Sequence, residues 1–302
     1  MVSFGQALRS RVTLGSPRRH ERITVYPLLA RYQKPAGYLL FDEALERNLA
    51  EVQEVSEAGS VPWLRVKNRA DVPILLLEGQ EVQGGKQNRV INVSALAAAR
   101  SELVIPVSCV ERGRWHHRSS SFSSGHFSSP TLRRVVRRSV SRSATLGGGY
   151  SSDQGAVWAS VDSTLSLTDT LSPTSAVSDS YLRVAEEVER LIEAFPLEAN
   201  QLGLLVCLDG RPLGLDLFPD ERAYQRHHRK VLHSYVYAAL YETPTVRLGD
   251  VPSFLGVLDT LEPTRMQSVG LGTDCRLDTA EISATALEVD GAYLYASAIA
   301  AA

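Results

Sequence analysis

The fold of this chain is decided by residues 74–115, which read ILLLEGQEVQGGKQNRVINVSALAAARSELVIPVSCVERGRW. Short runs rich in β-branched and other apolar residues alternate here with turn residues, a pattern that predicts an antiparallel meander. With the run that precedes this stretch, strands are expected over 63–67, 72–77, 89–93 and 103–110. Between the second and third of them lies a polar, glycine-rich segment.

Outside this stretch, helical and strand patterns alternate along the chain. Apolar residues spaced three and four apart predict helices over 42–59, 180–195 and 219–241, the first of them capped by Asp42. Two alternating runs, 202–208 and 213–217, flank Asp209-Gly210 and predict a hairpin, and 267–299 reads as further strands. We therefore expect an α+β protein with an antiparallel β-meander or sandwich-like core and several packed helices.

The composition excludes several classes of protein. The chain has 302 residues, 44% of them hydrophobic and 22% charged, which is typical of a globular protein and not of a disordered or collagen-like one. No apolar run approaches the roughly 20 residues needed to cross a bilayer, and the N-terminal segment lacks the apolar core of a signal peptide. We expect no membrane association and a cytoplasmic location.

The charge is near zero overall but unevenly distributed. Lysine and arginine number 32 against 34 acidic residues, and the net charge of −2 excludes a generally basic protein. Only four of the bases are lysines, a bias that typically reflects the base composition of a genome. Residues 112–152, however, contain eight arginines and no acid, and they are rich in serine and glycine. Much of 116–152 is expected to be a partly flexible, loop-like insertion, with one short helix over 132–140.

The polar segment between the predicted strands is the first candidate site. Gly85 lets the backbone approach a ligand, Lys86 and Arg89 can neutralise an anion, and an arginine can hold a phosphate by two hydrogen bonds. The amides of Gln87, Asn88 and Asn92 suit a sugar, an amide or a base. The same residues are equally compatible with a polar hairpin turn. A P-loop is excluded, because Gln80 and Gln87 stand where that motif needs glycine and Ser or Thr.

A second polar cluster follows the run 103–110 and contains Glu111, Arg114 and Trp115. In a meander this strand end can approach the polar segment, which would place the carboxylates of Glu78 and Glu111 near several cations. Carboxylates beside cations are held ionised, as general bases are. An ion-pair network that only holds the loop explains the pattern equally well.

Cysteine and histidine give weaker signals. Cys109 is a possible nucleophile, but its apolar neighbours are typical of a buried, inert thiol. The three cysteines cannot form a four-thiolate zinc site, and His227, His228 and His233 lack the spacing of four that places two ligands on one helix face. No metal site is predicted, and no cofactor can be named.

The runs LLLEGQEVQGGKQNRVINVS and SELVIPVSCVERGRW resemble the signature of the ARPP-1 family, the domain associated with ADP-ribosylglycohydrolases and rhodanese-phosphatase proteins. The resemblance implies one ARPP-1-like domain over residues 1–302 and a link to NAD or ADP-ribose metabolism, without establishing a reaction. Matched by motif, the family's polar positions here are Glu78, Gly85, Lys86, Gln87, Asn88, Arg89, Glu111, Arg114 and Trp115.

Two functional hypotheses follow. In the first, the chain binds an ADP-ribose-like or other phosphorylated nucleotide-derived ligand. In one version of this hypothesis it also processes the ligand, with Glu78 or Glu111 as general base. In the second, it is a non-enzymatic adaptor or nucleic-acid-binding protein acting through the arginine-rich segment 112–142, with contacts from Arg133, Arg134, Arg137 and Arg138. The sequence does not decide whether the chain is an enzyme.

Overall fold

The computed structural model describes residues 2–32, 37–56, 59–119, 121–244 and 246–301. The chain divides into two compact units, the first built from residues 1–36, 186–267 and 272–302 and the second from residues 37–185 and 268–271. Both contain antiparallel sheet and packed helices, which confirms the α+β class. The single domain expected over the whole chain stays a prediction. Among the described residues, no helix has both the length and the apolar composition needed to cross a bilayer.

The first unit is a nine-stranded antiparallel sheet in the order β1-β3-β13-β14-β18-β17-β16-β15, with β2 added beside β3. The predicted hairpin is confirmed as β13 and β14, joined at Asp209 and Gly210, and helix α7 is buried on all sides from Val231 to Tyr237. The strands are β1 (Val12–Leu14), β2 (Arg18–His20), β3 (Ile23–Ala30), β13 (Gln201–Leu208), β14 (Arg211–Leu217), β15 (Thr264–Gln267), β16 (Thr273–Asp278), β17 (Ile282–Val289) and β18 (Ala292–Ala300). The helices are α1 (Phe4–Arg11), α6 (Ala185–Ile192, which starts at the boundary of the units), α7 (Glu221–Tyr237, continued by a π-helical turn over Ala238–Glu242) and α8 (Val251–Thr260).

The second unit contains a six-stranded sheet in the order β12-β8-β9-β11-β6-β5 and a three-stranded sheet in the order β10-β7-β4. The larger sheet curls so that its two edge strands, β5 and β12, approach each other around an apolar core that includes Val82, Ile91 and Val107. The strands are β4 (Leu39–Leu40), β5 (Ala50–Glu54), β6 (Trp63–Asn68), β7 (Ile74–Leu76), β8 (Gln80–Gly84), β9 (Arg89–Ile91), β10 (Ala95–Ala97), β11 (Glu102–Cys109) and β12 (Phe122–Phe127). The helices are α2 (Phe41–Glu46), α3 (Pro130–Thr145), α4 (Gln154–Leu167) and α5 (Val177–Arg183).

The prediction of a helix over residues 42–59 is confirmed only at its start and is wrong for the rest of the range. Helix α2 ends at Glu46, Asn48 adopts a left-handed conformation with φ of 56°, and residues 50–54 form strand β5. Val52 pairs with Val66 of β6, so its burial follows from strand pairing and not from a helix face. Apolar residues at 45, 49 and 52 fit a helix, but 50 and 52 also alternate as in a strand, and tertiary pairing decided between the two.

The serine- and arginine-rich segment contains more regular structure than its composition indicated. Residues 122–127 form edge strand β12, and the short helix expected over 132–140 lies inside the longer α3. Ser129 caps α3 by accepting a hydrogen bond from the N–H of Leu132. The helix expected over 180–195 is broken at Val184 into α5 and α6.

Candidate functional site

The polar segment, predicted to lie between two strands, contains strand β8 itself as well as the turn from β8 to β9, and two glycines shape this turn. Gly84 and Gly85 have φ values of 133° and 48°, which side-chain-bearing residues rarely adopt. A Cβ on Gly85 would lie 2.2 Å from Cζ of Phe122. Residue 85 therefore has to be glycine for the chain to turn against the Phe122 ring and lead into residues 86–88.

Glu111 and Arg114 form a buried ion pair beneath this turn. Nε and Nη2 of Arg114 donate to Oε1 and Oε2 of Glu111 over 2.8 and 2.6 Å, and both side chains are about 95% buried. Nη1 of Arg114 also donates to the carbonyl oxygen of Gly85 over 2.7 Å. Glu111 in turn accepts the N–H of Asn88 over 2.9 Å. The predicted cluster is thus assembled, and its two charged groups hold the turn in place.

The pKa of Glu111 reflects this network. Burial alone would raise it, but the hydrogen bonds from Arg114, the N–H of Asn88 and the hydroxyl of Thr174 outweigh burial, and the pKa lies below its ordinary value. Glu111 is therefore ionised at neutral pH, and its oxygens are occupied by internal donors.

The three predicted amide side chains also have internal partners. Gln87 donates to the carbonyl oxygen of Arg112, and Asn88 accepts from the N–H of Gly84 over 3.2 Å. Asn92 accepts from the hydroxyl of Ser108 over 2.6 Å and donates to a backbone carbonyl oxygen. In the described structure these amides fix the ends of neighbouring strands.

Arg89 differs from the other charged residues of the motif. Its side chain is fully buried, Nε donates to the carbonyl oxygen of Val61 over 3.2 Å, and Nη1 makes only a long contact of 3.5 Å to a carbonyl oxygen. Nη2 is buried and has no hydrogen-bond partner in the part of the chain that the structure describes. Burial lowers the pKa of Arg89 below its usual value, although neighbouring Cys109 and Glu54 oppose this effect.

The exposed ring of Trp115 lies close to Arg89 and Lys86. The Trp115 side chain is 46% exposed, and its ring centre lies 5.8 Å from Cζ of Arg89 and 5.5 Å from Nζ of Lys86. Both separations fall within the range of cation–π contacts. Of the two cations beside this exposed ring, Lys86 is half-buried and Arg89 is fully buried, so Lys86 supplies the positive charge nearer the surface.

Glu78 belongs to a different ion pair. Its Oε1 accepts from Nε of Arg137 in α3 over 2.7 Å, and both side chains are about 98% buried. Glu78 and Glu111 therefore each have their own guanidinium partner. They do not form a pair of carboxylates around one shared cation.

Cys109 is buried at the end of β11. Its thiol contacts Oε1 of Gln87 at 3.1 Å and the carbonyl oxygen of Glu111 at 3.3 Å. Burial raises the pKa of Cys109, although the charge of Arg89 acts in the opposite direction. This environment is that of an unreactive thiol.

Two acidic residues were not singled out by the sequence. Glu81 of β8 is 98% buried, its Oε2 accepts from Nε2 of Gln83 and the N–H of His126, and its Oε1 has no partner among the described residues. Burial raises the pKa of Glu81 to about 7. Glu54, at the end of β5, accepts the N–H of Lys86. Glu81 stood inside the polar motif, whereas Glu54 lay in the predicted helix and gave no signal.

The arginines of α3 do not form the predicted nucleic-acid surface. Arg133 and Arg137 are about 99% buried, the first over the ring of Phe127 and the second against Glu78. Only Arg134 and Arg138 of the four reach the surface, in part or fully. The expectation that all four contact nucleic acid is corrected by this burial, because a guanidinium inside the fold cannot reach a phosphate backbone.

A separate cavity in the second unit does not include the motif. A cavity of about 510 Å³ lies between α2, β5 and β12, lined by residues that include Asp42, Glu51 and Ser124, and none of the predicted site residues lines it. In the described ranges, no three Asp, Glu, His or Cys side chains come together as a potential metal site.

Comparisons with known proteins identify the family to which the chain belongs. No curated protein and no solved structure matches it. One family profile matches nearly the whole chain, including the turn, the Glu111–Arg114 pair and Trp115. Over residues 11–299, the chain belongs to the ARPP-1 family, the ARG and Rhodanese-Phosphatase-superfamily-associated Protein domain.

Proposed function

We propose that the chain is a cytoplasmic ligand-binding protein whose second unit takes a phosphorylated, nucleotide-derived ligand of the ADP-ribose class at Lys86, Arg89 and Trp115. The observation that carries this proposal is the buried guanidinium of Arg89, whose Nη2 has no hydrogen-bond partner among the described residues. The link to NAD or ADP-ribose metabolism implied by the family's association is part of the same proposal.

The energetic reason lies in the cost of leaving a buried charged donor without an acceptor. An unsatisfied buried polar group costs about 1–3 kcal/mol, and more if it is charged. An anionic ligand oxygen would remove that cost and gain a charge-assisted hydrogen bond. Lys86 lies on the same tryptophan ring and adds a second positive charge for a phosphate.

Trp115 supplies the contact that a nucleotide-derived ligand needs beyond its phosphate. Stacking of a base on an aromatic side chain contributes about 1–3 kcal/mol, and the Trp115 ring is close to half exposed. The Glu111–Arg114 pair holds the turn that carries Lys86 and Arg89, so it acts as a positioning element in this proposal. General-base roles for Glu78 and Glu111 stay predictions.

Nucleic-acid binding through α3 is the weaker alternative. Of the four arginines predicted to make the contacts, Arg133 and Arg137 are buried. The arginines of α3 that reach the surface are Arg134, Arg138 and Arg142, which offer few phosphate contacts, and affinity for nucleic acid scales with the number of such contacts. The adaptor hypothesis has no specific contact in its favour.

Calorimetric titration with ADP-ribose and NAD tests the proposal. We expect Lys86→Ala and Trp115→Ala, both partly exposed positions, to weaken binding by roughly tenfold each, because each removes an interaction of about 1.4 kcal/mol. Arg112→Ala is the matched control, since Arg112 also lies over a tryptophan, at 5.9 Å from the ring of Trp158, but outside the site. Absence of binding by the folded wild type, or equal losses with Arg112→Ala, would overturn the proposal.

A further inference from the structure

The carboxylate of Glu54 lies beside Lys86 and contains a second buried atom that lacks a hydrogen-bond partner among the described residues. Its Oε1 accepts the N–H of Lys86 over 3.1 Å. Its Oε2 is buried and has no hydrogen-bond partner among the described residues. A carboxylate oxygen is an acceptor only, so this atom requires a donor, whereas Nη2 of Arg89 requires an acceptor.

The backbone at Gly59 shows how closely these groups converge. A Cβ placed on Gly59 would lie 3.2 Å from Cδ of Lys86, 3.3 Å from Cζ2 of Trp115 and 3.6 Å from Oε2 of Glu54. The φ of Gly59 is 79°, a left-handed conformation in which a side chain is strained. A Cβ at these distances would crowd Lys86 and Trp115, so glycine at residue 59 allows both side chains to pack close to the backbone beside Oε2 of Glu54.

Arg89 and Glu54 are close enough to influence each other but do not form an ion pair. The charge of Glu54 acts on the pKa of Arg89, while no N···O distance of 4 Å or less joins the two side chains in the part of the chain that the structure describes. A group that fits between them needs an acceptor oxygen for Arg89 and a hydroxyl or N–H for Glu54. Inorganic phosphate supplies acceptor oxygens for Arg89, but the Glu54 carboxylate repels its negative charge, whereas a neutral sugar hydroxyl meets no such repulsion.

We propose that Glu54 is a specificity-determining residue that accepts a hydrogen bond from a sugar hydroxyl, while Arg89 and Lys86 hold the neighbouring phosphate, so that the recognised unit is phosphoribosyl. This inference rests on the proposed function and narrows it to one part of the ligand. The ring of Trp115, within 6 Å of both cations, lies against the sugar or base in this proposal.

Titration with ribose 5-phosphate and inorganic phosphate separates this role from a purely structural one. Glu54→Gln removes the charge and keeps the shape. We expect it to weaken binding of ribose 5-phosphate by about tenfold, the value of a hydrogen bond to a charged group, and to leave phosphate binding unchanged or tighter. A general loss of structure would weaken both ligands, so the two responses distinguish the roles.

Glu51→Gln is the matched control, because Glu51 lies on the same strand but pairs with Arg69 at the surface. It should leave both affinities unchanged. Equal effects of Glu54→Gln on the two ligands, or no effect on either, would show that Glu54 does not distinguish the sugar from the phosphate and would overturn the inference. Wild-type binding of ADP-ribose without binding of ribose 5-phosphate would also overturn it and leave the proposed function standing. Failure to bind any of these ligands would overturn the proposed function itself.

Discussion

Glu81 provides the sharpest test of how burial controls charge in the second unit. Its carboxyl group is 98% buried, and burial raises its pKa to about 7. The hydrogen bonds from Gln83 and His126 favour the ionised form but do not outweigh burial, and the charges of Glu111 and Asp179 disfavour it further. Glu81→Gln replaces the carboxyl group by an amide that resembles its protonated form and cannot ionise.

The sign of the effect follows from proton binding. The folded protein holds the proton of Glu81 up to about pH 7, whereas an ordinary carboxyl releases it near 4.5. The folded state therefore binds the proton more tightly than the unfolded state, and the stability due to Glu81 is present below about pH 4.5 and lost as the pH rises toward 7. This difference in pKa corresponds to up to ~3 kcal/mol.

Urea unfolding of wild type and Glu81→Gln over this pH range measures the effect. We expect the two proteins to be similarly stable near the acidic end and the variant to be more stable, by up to ~3 kcal/mol, at about pH 8. Glu102→Gln is the control, because Glu102 is half exposed and pairs with Lys67 at the surface, where an ion pair contributes at most about 1 kcal/mol. A pH-independent difference between Glu81→Gln and wild type would refute the reasoning.

Three further predictions concern the motif and its support. Arg137→Ala should lower the free energy of unfolding by about 3–5 kcal/mol, because it removes a buried guanidinium that pairs with buried Glu78. Arg142→Ala, at an exposed position on the same helix, should change it by less than about 0.5 kcal/mol. Gly85→Ala should destabilise far more than Gly147→Ala in a thermal melt, since both glycines have positive φ but only residue 85 would place its Cβ against Phe122. Cys109 should resist alkylation in the native protein and react after unfolding, because burial raises the pKa of its thiol; rapid native labelling, read by peptide mass mapping, would contradict this assignment.

The fold was predictable from the sequence where the local signal was unambiguous. The hairpin at Asp209-Gly210 has alternating apolar residues on both sides of a turn that favours positive φ, and β13 and β14 pair there. Strand β5 was not predictable in this way, because residues 45–55 satisfy helical and strand spacing together. Pairing with β6 decided the outcome, and that pairing depends on residues that lie 10 to 18 positions further along the chain.

The candidate site was predictable only as a set of residues. The motif brought together Lys86, Arg89, Glu111, Arg114 and Trp115, and the structure places them around one turn. Which of the charges are satisfied internally could not be predicted. Arg114 and Arg89 are both buried arginines of the same motif, yet the first has a carboxylate partner and the second has a nitrogen without a hydrogen-bond partner among the residues that the structure describes.

The sequence by itself determined the α+β class, the family and the residues of the polar motif, because apolar periodicity, turn residues and motif spacing are local properties of the chain. Only the tertiary structure decided that Glu111 pairs with Arg114, that Glu78 pairs with Arg137, and that Glu54 accepts a hydrogen bond from the N–H of Lys86. The reason is electrostatic as well as geometric. A buried charge is stable only beside a partner, and the partner is supplied by whichever strand or helix the fold brings next to it.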